Sequence, residues 1–263
     1  MHAGNITRTD VKKFLKSKKD TPYRANRDHA VMRLIFAWAM AEDRPILVNP
    51  CEGIKRKHIG TTEKKRERVL SAEEVRTFWT ALDKERPIIA SIFRLLLLTG
   101  VRSDEAKKAR WNDLDFEERL WRIPNTKKGP HEVPLTESVV AILESMRPLS
   151  GHSEYVFLGP IGKPIGNLQK AKERLQKRIQ LKEDWRIHDL RRTVATKLAT
   201  LGIPRDTVSA VLGHTLGGNP TTDIYERYGR LPEKRAALEK WERRLEQIAS
   251  GEEQKGTVVP FRS

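Results

Sequence analysis

The stretch LLLLTGVRSDEAKKARWNDLDF (95–116) is predicted to join two helices of one domain. It closes an apolar helix predicted over 87–98 and opens a second helix that is predicted to follow Ser103. Arg102 lies at the start of that second helix, where free backbone amides favour an anion, and Glu105 follows three residues later on the same face. A guanidinium held by a carboxylate is suited to grip two phosphate oxygens, although such a pair alone is also typical of an ordinary protein surface.

Around this stretch the pattern predicts a mostly helical α+β domain with a small antiparallel sheet. Residues 111–123 are predicted to form a strand, a turn and a strand, and HEVPL (131–135) is the return strand of a hairpin. Ser71 and Glu74 form a capping box, and Gly213 is a predicted left-handed helix end. Further helices are predicted over 73–82, 136–147, 167–181, 189–201, 204–212 and 231–249.

Residues 1–60 precede this domain and are predicted to be helical, with VMRLIFAWAM (31–40) as their most apolar run. The segment KRKHIGTTEKKRER (55–68) is either a basic strap along a polyanion or a solvated hinge, and composition favours neither. We therefore expect a helical portion over 1–60, a basic linker over 61–70, a main domain over 71–250 and a flexible tail over 251–263. VVPF in that tail could add an edge strand or dock on a neighbouring molecule.

The charge balance indicates a polyanionic partner. Lys and Arg number 51 against 35 Asp and Glu, which gives a net charge of +16, and basic side chains that neutralise phosphates release condensed counterions. An anionic membrane is the alternative, but no apolar run approaches the roughly 18 residues that a spanning helix needs. The first residues lack the apolar core of a secretory signal, and Cys51 is the single cysteine, which suits a reducing cytoplasm.

The sequence offers no convincing metal site. The acidic residues do not cluster as magnesium ligands, no HExxH motif occurs among the seven histidines, and one cysteine cannot build a zinc site. GPIGK (159–163) lacks the spacing and the hydroxyl residue of a phosphate-binding loop, so a plain turn is predicted there. We therefore expect chemistry that uses protein side chains without a metal or other cofactor.

Several other residues could act on a phosphodiester if the fold brought them together. In HDLRRT, His188 and Arg191 are three apart and share one helical face, and Lys127 lies in the turn of the hairpin. His214 follows a Leu-Gly pair, and Tyr225 lies in TTDIYERY. Each residue alone is more typical of a solvated or structural position. Their order and combination carry the hypothesis.

That combination resembles the tyrosine recombinase family of phage-type integrases, over nearly the whole chain. The matching boxes are residues 95–116, IPNTKKGPHEVPL (123–135), HDLRRTVAT (188–196), VLGHT (211–215) and TTDIYERY (221–228). The resemblance carries the family's catalytic residues onto Arg102, Lys127, His188, Arg191, His214 and Tyr225, with Glu105 in support. It also implies a catalytic domain preceded by part of a helical core-binding domain, since residues 1–60 match only its later portion.

The resemblance implies a mechanism in which Tyr225 attacks a phosphate of duplex DNA and becomes joined to its 3′ phosphate. The two arginines and His214 would stabilise the developing charge, Lys127 would protonate the leaving 5′ oxygen, and His188 would take the tyrosine proton. Religation needs neither ATP nor metal. The histidine-to-tyrosine spacing is about two residues longer than is common in the family, so Tyr228 remains a rival to Tyr225 as the nucleophile. Lys128, next to Lys127, remains a rival for the role of the catalytic lysine.

Partners and alternatives follow from the same resemblance. Double-stranded DNA at attachment sites is the expected partner, with a homotetramer on recombining DNA, accessory DNA-bending proteins and a cytoplasmic, nucleoid-associated location. A type IB topoisomerase would share the chemistry, and a catalytically silent DNA-binding regulator or a chromatin-type binder would share the charge. Within the catalytic part, four basic residues of the helix over 167–181 are candidate phosphate contacts: Lys170, Arg174, Lys177 and Arg178.

Overall fold

The computed structural model describes residues 3–42, 48–55, 66–124, 129–214 and 230–252. The chain divides into two compact units, Met1–Arg66 and Glu67–Ser263. None of the helices in the described ranges is long and apolar enough to cross a membrane. All the candidate site residues belong to the second unit.

The described part of the first unit contains the helices α1 (Arg8–Ser17) and α2 (Pro22–Ala41). A capping box starts α1, because the Thr7 hydroxyl accepts a hydrogen bond from the Asp10 amide while the Asp10 carboxylate accepts one from the Thr7 amide. Both helices fall within the region predicted to be helical. Their apolar side chains form a small core with the segment after α2: Val11, Leu15, Ala25, Phe36, Cys51 and Ile54.

The second unit is mostly helical with one small sheet, as predicted. Its strands are β1 (Leu114–Asp115), β2 (Leu120–Ile123) and β3 (His131–Pro134). Its α-helices are α3 (Ala72–Ala81), α4 (Pro87–Thr99), α5 (Ser103–Lys107), α6 (Glu137–Ser145), α7 (Arg147–Ser150), α8 (Gln169–Arg178), α9 (Ile187–Thr200), α10 (Arg205–Val211) and α11 (Leu231–Ser250).

Helix α4 lies at the centre of the second unit. Its sequence PIIASIFRLLLLT is apolar around most of the helix, with Arg94 as its only charged residue, so other elements must cover most of its surface. It contacts α5, α6, α9 and α11, and Phe93 packs edge-on against Phe78 at 5.7 Å between ring centroids. Gly100 ends α4 with a left-handed φ of 67°, and a Cβ there would lie 3.1 Å from both Val194 and Leu212. A side chain at position 100 would therefore push the start of α5 away from α9 and α10.

The sheet is antiparallel in the order β1-β2-β3. Ile123 pairs with His131, and Trp121 pairs with Val133. The strand predicted to start at Trp111 starts later, because residues 111–113 form a 3-10 turn. Burial of the Trp111 indole explains the difference, since its Nε1 donates a hydrogen bond to the Ser150 carbonyl at 3.1 Å. The predicted turn between β2 and β3 falls largely on residues 125–128, which lie outside the described ranges.

The predicted helix ends are confirmed in part. Ser71 and Glu74 form the expected capping box at α3, and Gly213 is left-handed with a φ of 59°. The single helix predicted over 136–147 is wrong at its end. It breaks after Ser145, because Pro148 has no amide to continue the hydrogen bonding and instead occupies the first turn of α7.

Polar contacts fix helix α11 to the rest of the unit, among them the following. The buried Lys234 ammonium donates to the Glu132 carbonyl of β3. The Trp241 indole donates to the Leu97 carbonyl of α4 at 2.7 Å. Glu242 accepts from the backbone amide of Ser138 at the start of α6, at 2.6 Å. The helix that follows the TTDIYERY segment is therefore anchored on both the sheet and the central helix.

Candidate active site

Arg102 is held by two oxygens of one carboxylate. Glu105 Oε1 accepts from the Arg102 guanidinium at 2.7 Å, and Glu105 Oε2 accepts from the Arg102 backbone amide at 2.7 Å. The Glu105 side chain is 8% exposed and that of Arg102 is 25% exposed. The i,i+3 contact expected from the sequence is thus present, and it leaves part of the guanidinium open to solvent.

Helix α9 carries His188 and Arg191 on a well-defined N-terminus. Asp189 is fully buried, and its carboxylate accepts from the Arg186 amide at 2.8 Å and from the Arg192 guanidinium at 2.8 Å. The Thr193 hydroxyl in turn accepts from the Leu70 amide at 3.0 Å. These contacts fix the first turns of the helix, so the direction in which its site residues project is set by the fold.

Arg191 is buried and hydrogen-bonded to the ends of two helices. Its guanidinium donates to the Gly100 carbonyl at 2.7 Å, where α4 ends, and to the Leu212 carbonyl, where α10 ends. The negative ends of both helix dipoles therefore face its charge. Burial, with a smaller contribution from the nearby Arg102, lowers the pKa of Arg191 to about 10. The side chain stays cationic at neutral pH. Burying this charge costs free energy, and a bound phosphate would reduce that cost.

The turn at residues 212–214 brings His214 onto Arg191. Arg191 Nη2 lies 3.1 Å from His214 Nε2, and the His214 amide donates to the Ser209 carbonyl at 2.9 Å. If the guanidinium donates in this contact, Nε2 of His214 is the acceptor, so a phosphate that takes over Arg191 Nη2 would free that nitrogen to take up a proton and donate to the ligand.

His188 is exposed at the start of α9. Partial burial of its ring, together with the charges of Arg192 and Arg191, lowers its pKa below the ordinary value. A neutral imidazole next to arginines can accept a proton, which is what a general base requires.

A buried residue of the site was not predicted. His131, the first residue of β3, is 5% exposed, and a Cβ on Gly213 would lie 2.7 Å from its Nδ1. Burial, and next the charge of Lys234, lowers the pKa of His131 to about 4, so its ring is neutral at physiological pH. The available signal was strand alternation, which places residues 131 and 133 on the same inward face.

Lys127 and its neighbour Lys128, and Tyr225 and its rival Tyr228, lie outside the described residues. The structure thus brings together Arg102, Glu105, Arg191 and His214, with His188 beside them.

The four basic candidates of α8 divide into two pairs. Arg174 and Arg178 both bind Glu85, at 2.8 and 3.0 Å, so they tie α8 to the segment after α3. Lys170 and Lys177 are exposed and form no ion pair with a described residue. The two lysines are therefore the freer candidates for contact with a phosphate backbone.

The chemistry that this arrangement favours is binding of an anion. Where the structure describes the chain, no group of three or more His, Cys, Asp and Glu side chains is placed to hold a metal ion. The site instead combines the guanidinium groups of Arg102 and Arg191 with imidazoles, and the Glu105 carboxylate beside them is already engaged with Arg102. Such a set can hold the non-bridging oxygens of a phosphodiester and move protons near them.

Comparison with known proteins gives consistent matches. The model described as "Phage integrase family" matches residues 68–228. Prophage integrase IntA of Escherichia coli K12 is 36% identical over 155 residues, which cover 57% of this chain and 37% of that protein. A tyrosine recombinase of Thermosipho africanus is 31% identical over 234 residues, covering 84% of this chain and 80% of that protein. The chain spans 37%, 57% and 41% of the first three curated relatives that it matches.

Solved structures share the fold. A lambda integrase fragment, residues 75–356, in a dimer bound to a COC′ core site, superposes with a TM-score of 0.67 at 19% identity, covering 82% of this chain and 83% of that one. The Tn1549 transposon integrase, residues 82–397, in complex with circular intermediate DNA, gives a TM-score of 0.64 at 19% identity, covering 90% and 86%.

Proposed function

Because this chain belongs to the phage integrase family, we propose that it is a site-specific DNA recombinase that cleaves and rejoins duplex DNA through a covalent 3′-phosphotyrosine. The observation that carries the proposal is the contact of the buried Arg191 with both His214 and the carbonyl that ends α4, two residues before Arg102. Residues far apart in sequence thereby form one cationic pocket.

The two arginines supply electrostatic stabilisation. Burial, and next the charge of Arg102, lowers the pKa of Arg191, and the extra negative charge of a pentacoordinate phosphorane would favour its cationic form. Since the groups are placed during folding, little reorganisation is needed when the charge develops. His214, with Nε2 protonated, would complete the set by donating to the same oxygens.

The remaining roles move protons. Tyr225 attacks the phosphorus, its proton passes to the neutral His188, and the 5′ oxygen leaves with a proton from Lys127. One P–O bond forms and one breaks, so the phosphotyrosine keeps the energy of the phosphodiester. Attack by the 5′ hydroxyl of a partner strand then restores the DNA backbone as an exchanged strand. No cofactor takes part in this scheme.

DNA binding would involve both units, with the basic segment 61–70 crossing the phosphate backbone and α8 presenting Lys170 and Lys177. Recombination of two duplexes would assemble four protomers on DNA, with DNA-bending proteins as further partners. Replacing Lys170 and Lys177 with Gln should weaken duplex binding and reduce its salt dependence, by roughly 0.9 in log–log slope for each lost phosphate contact. Unchanged salt dependence would remove α8 from the interface.

The test of the chemistry is covalent trapping on a nicked duplex. A binding site is selected from random duplex sequence and nicked next to the cleavage position. After attack, the short fragment that carries the freed 5′ hydroxyl then diffuses away. The wild-type protein and Tyr228→Phe should form a denaturation-resistant adduct, and Tyr225→Phe should form none. An adduct that persists in Tyr225→Phe and disappears in Tyr228→Phe would move the nucleophile to Tyr228.

Further assays on the wild-type protein distinguish the rival activities. Exchange between two duplexes that each carry the selected site supports a recombinase. Relaxation of supercoiled DNA without such a site would instead indicate a type IB topoisomerase. Tight binding without any adduct in the wild-type protein would indicate a catalytically silent regulator and would refute the proposed function.

A further inference from the structure

We propose that His131 is a positioning residue of the phosphate pocket, whose flat ring supports the turn 212–214 and through it the contact between His214 and Arg191. The inference rests on the proposed function, because the contact that His131 supports matters only if the pocket binds a phosphate. It assigns a role to a side chain that lies on the sheet, outside the segments that carry the two arginines and His214.

The first step of the argument is the contact itself. An added Cβ at Gly213 would lie 2.7 Å from Nδ1, 2.9 Å from Cγ and 3.0 Å from Cε1 of His131. Three ring atoms at nearly equal distances mean that the imidazole presents its face to the Gly213 Cα. The left-handed φ of 59° at Gly213 is thus combined with an approach that only a residue without a side chain allows.

The second step follows the turn to the site. Leu212, before Gly213, gives its carbonyl to the Arg191 guanidinium, and His214, after it, places Nε2 at 3.1 Å from the same group. A displacement of Gly213 would therefore move both contacts together. The His131 ring supplies the three nearest atoms to a Cβ at Gly213, so it limits how far this residue can move towards the sheet.

The third step concerns the surroundings of the ring. It is 5% exposed, and neither ring nitrogen has a hydrogen-bond partner among the described residues. Charged groups act on it from α11 (Lys234), α5 (Glu105) and α9 (Arg191), and from Arg102 just before α5. The residue therefore stands where the sheet, the turn and the two arginines meet, and its backbone is fixed by pairing with Ile123.

The test measures covalent trapping in single turnover for His131→Ala, His131→Asn and the matched control His152→Ala, which alters an exposed histidine. His131→Ala should cleave about 10- to 100-fold more slowly, the scale of a displaced catalytic group, while its affinity for the duplex stays within about threefold of wild type because phosphate contacts elsewhere dominate binding. His131→Asn keeps a planar group at Cγ and should recover part of the rate. The control should match wild type.

A double-mutant cycle decides whether His131 acts through the turn. In a His214→Ala background, His131→Ala should slow cleavage by less than it does in the wild type, since of the two contacts that the turn makes with Arg191 only that of the Leu212 carbonyl remains. If the two losses multiply in full, or if His131→Ala cleaves at the wild-type rate, the proposal is overturned. A rate that falls only in proportion to the folded fraction, measured by circular dichroism, would also overturn it.

A readout without activity separates this inference from the proposed function. The His214 amide, which donates to the Ser209 carbonyl, should exchange its hydrogen faster in His131→Ala and at the wild-type rate in His152→Ala. If wild type forms no adduct, the recombinase proposal fails, and this exchange rate still decides whether His131 supports the turn. An unchanged exchange rate in His131→Ala would refute that support.

Discussion

Glu105 is the most informative residue of the site to substitute, because its two oxygens accept from different groups of Arg102. In Glu105→Gln, one oxygen can still accept from the Arg102 amide, but the new amide NH₂ would face the guanidinium, donor against donor. In Glu105→Ala, both contacts of 2.7 Å are lost. The comparison therefore separates the orientation of the Arg102 side chain from the capping of α5.

The contacts set the expected magnitudes. A hydrogen bond to a charged group contributes about 1.5–3 kcal/mol, and the Arg102 side chain is 25% exposed, so water compensates part of that loss. We expect Glu105→Gln to lower the free energy of unfolding by about 1–2 kcal/mol and Glu105→Ala by about 2–3 kcal/mol. Cleavage should fall about 10- to 100-fold in both, because Arg102 loses the group that fixes its rotamer.

Urea unfolding gives the stability, and covalent trapping on the nicked duplex gives the rate. Asp104→Asn, the neighbouring acid on the exposed side of α5, is the matched control and should cleave at the wild-type rate. If Glu105→Gln lost stability as expected and still cleaved like wild type, Arg102 would not need its carboxylate partner, and its place in the pocket would be in doubt.

Four further outcomes are expected. Arg191→Lys should lose at least about 100-fold in cleavage and about 2 kcal/mol in unfolding free energy, since an ammonium cannot span the same acceptors; wild-type trapping would contradict this. Gly213→Ala should destabilise by more than about 2 kcal/mol, of which about 1–2 kcal/mol, the left-handed backbone cost, should remain in a His131→Ala background. Burial and Lys234 lower the pKa of His131 to about 4, whereas the unfolded chain takes up that proton near its ordinary value of about 6.5. Relative to His131→Asn, the wild-type protein should therefore lose up to about 3 kcal/mol of unfolding free energy as the pH falls from about 6.5 to 4. Urea unfolding at each pH measures this loss. The lowered pKa of His188 should put the acid limb of the cleavage rate below about pH 6.5, and His188→Gln should flatten that limb.

Local signals in the sequence were enough to predict most helices and the sheet. The capping box at Ser71 and the left-handed Gly213 depend on residues within a few positions, and both are found as expected. The i,i+3 contact between Arg102 and Glu105 is local in the same sense. Such features follow from backbone geometry and side-chain reach alone.

Contacts between distant segments could not be predicted in this way. Arg191 binds carbonyls that lie 91 and 21 residues away in sequence, and its burial depends on how α4 and α10 pack. Arg174 and Arg178 look like a solvated face in sequence, but Glu85 engages both. The role proposed for His131 likewise depends on a turn that follows it by some 80 positions.

The buried position of Arg191 affects how relatives of this protein can diverge in sequence. Its guanidinium satisfies carbonyls at the ends of two helices, so a descendant that had lost strand cleavage would still be selected to keep it for folding. In the proposed scheme Tyr225 is required for strand cleavage. Retention of the arginine in a relative is therefore weak evidence of an active enzyme, and decay of activity should first be visible at the tyrosine and the lysine.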